Sequence, residues 1–304
     1  MEAFDRKLLD ILGCPTCKQA LELRDGALSC DSCKTQYPII NGVPVFRGRN
    51  RLYDERYYKD GGELHGKGKR PGWKNLVRVM IKKATPSCRE TSRRSRDILL
   101  SYLREGSPDD LPSVILNIGP GKTRDMQRLL KECGSALRLC VDLEENADIV
   151  GDIRYLPFQD GTVDFVFAIA VLEHVDDPAK AVEDMHRSLT PNGKIYAEIP
   201  FCRSYHPLPC DFQRYTISGI EKLFEGFQCL EKGVASGPGS TMSLAISSFF
   251  AILLSFGNVT WYKLLNRIFR IVTKPMQYVD LLFQKNELAH RLACAVYILC
   301  QKNS

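Results

Sequence analysis

The sequence predicts an α/β fold. A doubly wound, mostly parallel sheet is flanked by a small N-terminal module and a helical, partly amphipathic C-terminal tail. Three observations carry this. Between Val114 and Phe201, apolar strand-like runs end in glycine or acid and mostly alternate with helix-like runs. Two CxxC pairs, Cys14/Cys17 and Cys30/Cys33, lie within the first fifty residues. After Gly237 to Thr241 the chain turns strongly apolar.

Residues 1–48 form the first unit. A helix-like start (Leu8, Leu9, Ile11, Leu12) precedes the two knuckles, and the run YPIINGVPVF closes it. Each CxxC sets two thiolates on one tight turn, and two such turns make a tetrahedral S4 site suited to structural zinc. A piece this short also lacks core enough to fold without a staple. No apolar signal segment precedes the cysteines, so thiols and metal ligands are expected in a cytoplasmic setting. In LLDILGCPTC, CDSC and YPIINGVPVF the module resembles the Trm112-like zinc-ribbon family, whose members associate with methyltransferases.

Residues 49–84 read as a basic linker rich in glycine. Residues 47–96 hold 16 Lys/Arg against 5 Asp/Glu, and from Glu231 onward there are 8 against 3, within a net charge of +6. The remainder is therefore acidic. Basic flanks point to a polyanionic partner, either an anionic membrane surface or nucleic acid. Tyr53, Tyr57, Tyr58 and Trp73 add stacking groups that suit an RNA. A solubilising linker is the bland alternative.

The main domain is assigned to residues 85–241. A helix over 88–103 covers the sheet, with Ile98, Leu99, Tyr102 and Leu103 at helical spacing. The pattern continues as strand 114–118, helix 122–133, strands 137–141, 148–150 and 163–169, helix 178–189 and strand 193–199. A helix near 216–225 and a strand near 227–232 follow. Pro178 suits a first helical turn, and Asn192-Gly193 suits a turn into a strand.

Ligands of such sheets bind at the carboxyl ends of the strands. There, Gly119 and Gly121 let the backbone approach a ligand, and the following helix start offers free N–H groups. Asp142 ends the next strand, placed to accept from ribose hydroxyls. Asp152 precedes RYLPF, placed to accept from an exocyclic amine. Asp164 begins an apolar strand and is read as structural.

The run GDIRYLPFQDGTVDFVFAIAVLEHVDDPAKAVEDMHRSLTPNGKIYAEIP resembles the class I methyltransferases that use S-adenosylmethionine (SAM), in the type-11 branch. That resemblance implies a Rossmann-like, seven-stranded sheet. It assigns Gly119 and Gly121 to the methionine end of SAM, Asp142 to the ribose, and Asp152 with Ile153 to the adenine. Val171, Leu172, Glu173 and His174 fall where the family lines the pocket near the methyl group. Asn117 stands where the family usually has an acid and Thr123 where it has a further glycine. Asn117 still hydrogen-bonds, but it offers no charge to an ammonium.

Methyl transfer to oxygen benefits from a general base. His206 is the first candidate, with Asp211 to orient it or to pair with Arg214; His174 is the second. The loop that holds them, together with the apolar tail, more loosely resembles methyltransferases of surface-glycan and lipid-linked sugar assembly. Residues 242–304 are read as a helical tail. In it Trp261, Leu264, Leu265, Ile268, Phe269 and Val272 share a face, with Lys263, Arg267, Arg270 and Lys274 largely off it. Such a helix lies in a membrane interface or packs on the domain. The leading expectation is O-methylation of a sugar, lipid-linked or other small acceptor near a membrane. Methylation of tRNA or rRNA through the basic 47–96 segment, and a non-catalytic adaptor, are the alternatives.

Overall fold

A computed structural model describes residues 4–46, 101, 113–119, 136–143, 147–207, 210–283 and 285–303. The linker, the basic 47–96 stretch, the helix expected over 122–133, Gly121 and Thr123 lie outside these residues, as does all of the 88–103 helix except Ser101.

Among the described residues, one 11-stranded sheet runs through the molecule. Its larger part has the expected number of strands, seven: β5 (Val114–Ile118), β6 (Leu137–Asp142), β7 (Ile149–Gly151), β8 (Val163–Ile169), β9 (Leu189–Pro200), β10 (Gln228–Ser236) and β11 (Ala295–Gln301). Their order across the sheet is β7-β6-β5-β8-β9-β11-β10. The first five are parallel, and β11 runs antiparallel to both β9 and β10. The order reverses direction between β5 and β8, and a ligand crevice opens at such a point. Helix α1 (Pro178–Ser188) follows β8, with Pro178 in its first turn and the Asp177 carboxylate capping the Lys180 N–H. Helix α2 (Ile217–Leu223) precedes β10. Asp164 is structural as read, since one oxygen accepts from the N–H groups of Ser113 and Val114 and the other from the Thr190 hydroxyl.

The other four strands belong to the cysteine module: β1 (Glu22–Arg24), β2 (Ala27–Ser29), β3 (Gln36–Ile40) and β4 (Val43–Phe46). They enlarge the expected seven-stranded sheet. Val45 and Phe46 of β4 pair in parallel with Val150 and Gly151 of β7, so the module extends the sheet edge. Asp25-Gly26 and Asn41-Gly42 turn the two hairpins with both residues at positive φ, as tight hairpins of this hand require. Leu12 bridges Phe158, and the Gln159 amide donates to the carbonyls of Leu9, Asp10 and Leu12. Leu8, Leu12, Leu28 and Phe46 share one hydrophobic core with Leu116, Ile149 and Phe158.

Asp184 fastens this contact. It is 3% exposed. Its carboxylate accepts from Lys18 of the module at 2.9 Å, from the Leu156 N–H at 2.5 Å and from Arg187 at 2.9 Å. Asp184→Ala leaves two cations and one N–H without their partner. We expect about 3–5 kcal/mol of destabilisation, measured by urea unfolding. A change under about 0.5 kcal/mol, ordinary for a neutral surface substitution, would mean that Asp184 does not hold the module.

The C-terminal part corrects the sequence reading. Residues 295–301 are not helical tail but the strand β11, buried between β9 and β10. Its run AVYILCQ is apolar without alternation because both of its faces are covered, and such a run carries no helix or strand period. Helices α3 (Pro238–Ser255) and α4 (Val259–Val272) form a hairpin between β10 and β11. Ser236 pairs with Ala295, so the insertion leaves and rejoins the sheet at one rung. Ala295 also pairs with Pro200, the last residue of β9. The insertion therefore rises from the edge where the parallel strands end.

Candidate active site and metal module

The four cysteine sulfurs converge. Cys14–Cys33 and Cys17–Cys30 are 3.4 Å apart, Cys30–Cys33 is 3.5 Å and Cys17–Cys33 is 3.0 Å. All four lie within 4.8 Å of one another. Zinc with bonds of about 2.3 Å needs a sulfur tetrahedron with edges of about 3.8 Å, so the set fits with a small expansion. Lys18 and Lys34, one after each pair, take the same left-handed conformation, so the two knuckles close alike. The Tyr37 hydroxyl lies 3.2 Å from the Cys14 sulfur. Burial opposes ionisation of Cys14, but Tyr37 and the backbone N–H groups of Cys17 and Thr16 outweigh it and hold the thiol at about 6. Four protein ligands complete the shell, so the role is structural.

At the strand ends, Gly119 follows β5, Asp142 ends β6, Asp152 follows β7 and Val171 follows β8. Because β5 to β8 are parallel, all four stand at one edge of the sheet. Gly119 has φ +57°, and a Cβ there would sit 2.4 Å from Val171 Cγ2. Glycine is required twice over, by backbone and by space. Ala170 carries φ +51° just before Val171. A left-handed alanine is strained, and such strain clusters at working sites. Asn117 is 3% exposed, and its amide nitrogen has no hydrogen-bond partner among the described residues. An orphaned donor two residues before the glycine turn suits an anionic or carbonyl ligand atom.

Asp152 is engaged in a way the sequence reading missed. It caps a short 3-10 turn, Ile153–Tyr155, and both of its oxygens take the Arg154 guanidinium, the shortest contact being 2.5 Å. Arg154 is 5% exposed and also reaches Asp176 at 2.5 Å. Any ligand donor at Asp152 would share that carboxylate with Arg154. Ile153 is buried beside it.

A second group of polar residues gathers around Glu173. A 3-10 turn, Leu172–His174, follows Val171. The loop after β9 folds over it: the Phe212 N–H donates to the Glu173 carbonyl and the Gln213 amide to the Val175 carbonyl. His206 Nε2 lies 3.5 Å and His174 Nε2 3.7 Å from one oxygen of Glu173, which is fully buried. The two rings stand edge to face, 5.2 Å apart. Asp211 pairs with Arg214 through both of its oxygens and accepts the His206 N–H at 2.8 Å. Burial raises the Asp211 pKa, but the Arg214 hydrogen bonds and the His206 N–H override it and hold the carboxyl at about 2. Such a pair contributes stability above about pH 4 and loses it as the pH falls towards 2.

Residues 116–197 match the methyltransferase domain family Methyltransf_11, and residues 5–42 match the Trm112p-like protein family. The chain is a SAM-dependent methyltransferase fused to a Trm112p-like module. Two curated relatives resemble a stretch of the methyltransferase that is the length of this module. The UPF0434 protein of Shewanella piezotolerans is 53% identical over 45 residues, which are 14% of this chain and 79% of that protein. The UPF0434 protein of Shewanella oneidensis is 53% identical over 45 residues, 14% of this chain and 76% of its own. Among solved structures, the Burkholderia thailandensis 1,6-didemethyltoxoflavin-N1-methyltransferase aligns over 88% of this chain and 96% of its own, at 12% identity and a TM-score of 0.46. A chain from the complex of the Haloferax volcanii Trm112 methyltransferase activator aligns over 72% of this methyltransferase and 98% of its own, at 15% identity and a TM-score of 0.42.

Proposed function

We propose that this methyltransferase O-methylates a sugar, lipid-linked or similar small acceptor presented at the cytoplasmic face of a membrane. One observation carries the reading: the α3–α4 hairpin is built inside out and rises from the catalytic edge. The buried face of α3 is mostly small and hydroxylated, with Gly239, Ser240, Thr241, Ser243, Ser247 and Ser255 beside the apolar Leu244 and Ala251. Most of its large apolar residues face outward, among them Phe249, Ile252, Leu253 and Leu254. At the tip Phe256 is 91% exposed, with Val259 and Trp261 beside it. Helix α4 buries none of its residues, while Lys263, Arg267 and Arg270 are exposed on it.

A water-facing surface of this kind is unfavourable at about 25 cal/mol per Å² of apolar area. Transfer of that area into lipid removes the cost, and the adjoining cations suit anionic headgroups. Helix α3 is long and apolar enough to cross a bilayer by composition, but 44% of that window is buried inside the molecule. This favours lying in the interface over spanning. The acceptor loop touches the hairpin, with the Ser204 and Ser248 hydroxyls 3.3 Å apart. A surface-bound hairpin thus brings the loop bearing His206 and Asp211 towards the membrane. Gly119, Gly121, Asn117, Asp142, Asp152, Ile153 and Val171 are the residues assigned to SAM. SAM brings a methyl group on a sulfonium; the chain has to orient an acceptor oxygen and remove its proton, beside His174 and His206.

The test is sedimentation with phosphatidylglycerol vesicles. The wild-type protein is expected in the pellet. Phe256→Glu combined with Trp261→Glu should leave it in the supernatant, with the unfolding midpoint unchanged because both positions are exposed. Wild-type protein that stays in solution at low salt would overturn the membrane reading.

A further inference from the structure

We infer that Glu173, His174 and His206 form a binding site for a divalent transition-metal cation, and that this cation takes the acceptor's hydroxyl oxygen as a further ligand. The second half rests on the methyltransferase reading; the cation site stands on geometry.

Glu173 is fully buried, and neither carboxylate oxygen has a hydrogen-bond partner among the described residues. An ionised carboxylate in that state is strongly disfavoured unless something compensates it. Asp211 does not share this problem, because Arg214 neutralises it.

The histidines facing Glu173 are oriented from behind. His174 Nδ1 contacts the Cys210 carbonyl oxygen. His206 Nδ1 lies 3.0 Å from the Ser204 carbonyl oxygen and 3.4 Å from Asp211 Oδ2. Arg214 is 3.3 Å from the same nitrogen, but it directs its short bonds, one of 2.6 Å, to Asp211. Carbonyl and carboxylate oxygens only accept, so both Nδ1 atoms carry the proton. Each ring then turns its Nε2 towards Glu173. Orientation of metal-binding histidines by a backbone carbonyl works in this way.

One ligand atom from each of Glu173, His174 and His206 thus lies within 4.8 Å of the others. The spacing suits a shared cation. A charged histidine–carboxylate bond closes to about 2.7–2.9 Å, whereas the gaps here are 3.5 and 3.7 Å. Metal bonds of about 2.1 Å set neighbouring ligand atoms roughly 3.0–3.4 Å apart. Two imidazoles and one carboxylate suit Mn²⁺, Co²⁺ or Zn²⁺ and leave coordination positions open. The site adjoins the cofactor edge, because Val171, two residues before Glu173, packs on Gly119.

The chemistry balances. The acceptor R–OH binds the cation through oxygen and releases its proton to water. The alkoxide oxygen attacks the methyl carbon, and the C–O bond forms as the S–CH₃ bond breaks. That electron pair returns to sulfur, giving a neutral thioether, and the cation is unchanged. Metal coordination makes an oxygen nucleophile available at neutral pH.

The experiment is a Mn²⁺ titration of the zinc-loaded full chain, with free Mn²⁺ read by electron paramagnetic resonance. The thiolate site disfavours Mn²⁺, so one bound equivalent per chain reports the second site. That equivalent should vanish in Glu173→Gln and in His206→Ala, while S-adenosylhomocysteine binding, read by calorimetry, persists in both. Calorimetry on the wild type separates the two readings: nucleoside binding without Mn²⁺ sinks only the cation site. If wild-type protein takes up no Mn²⁺, Co²⁺ or Zn²⁺ beyond the ribbon's equivalent, or if His206→Ala retains the second equivalent, the inference is overturned. Loss of fold in Glu173→Gln leaves the wild-type titration and the partly exposed His206 position to decide.

Discussion

Replacing Cys17 or Cys33 by serine is expected to release the ribbon metal and to cost the whole protein its fold. Structural zinc contributes about 10–16 kcal/mol in small modules at neutral pH, as large as the roughly 5–15 kcal/mol that holds a typical domain together. Here the loss does not stop at the module. Its Leu8, Leu12, Leu28 and Phe46 belong to the core that contains Leu116 and Ile149, and β4 covers the outer edge of β7. Without the ribbon that edge presents unpaired N–H and C=O groups, a template for aggregation. Metal content by plasma mass spectrometry and the calorimetric unfolding midpoint check this together. A chelated protein that has lost its metal yet melts at the wild-type temperature would show that the ribbon is not a staple.

Gly119→Ala is expected to remove SAM binding, with S-adenosylhomocysteine affinity falling at least 100-fold by calorimetry. A left-handed non-glycine residue costs about 1–2 kcal/mol. Overpacking adds about 1–3 kcal/mol, since the new methyl would lie 2.4 Å from Val171 Cγ2 and 3.0 Å from its Cβ. The turn relieves both by moving, and it is the element assigned to the methionine end. Adding Val171→Ala removes the nearer contact but not the backbone penalty, so the double variant should recover part of the affinity. Wild-type affinity in Gly119→Ala would mean that the glycine turn does not line the cofactor site.

Local spacing made part of this molecule legible. Two CxxC turns hold their sulfurs through a few bonds, so the S4 site follows from the sequence around Cys14, Cys17, Cys30 and Cys33. Parallel order follows from alternating strands and helices, and Asp164 could be recognised by its place at a strand start. Non-local partners were not legible. Lys18 meets Asp184 across 166 positions, and β4 meets β7 across more than a hundred. Glu173 stood in the expected pocket-lining run, but its isolation arises only when the 201–215 loop folds back upon it. Arg154 was hidden for another reason: an arginine between acids usually marks a solvated surface, and here it is buried between Asp152 and Asp176. Strand β11 escaped because a doubly covered strand has no alternation to read.

The pairing of Ser236 with Ala295 makes the α3–α4 excursion a removable cassette. Its two roots are already one hydrogen-bonded step apart, so a short turn can close the gap without disturbing the order of the sheet. On the membrane reading proposed above, delivery address and reaction chemistry are written in separable stretches of chain. Exchanging the cassette should redirect the same catalytic machinery to a different compartment of acceptors.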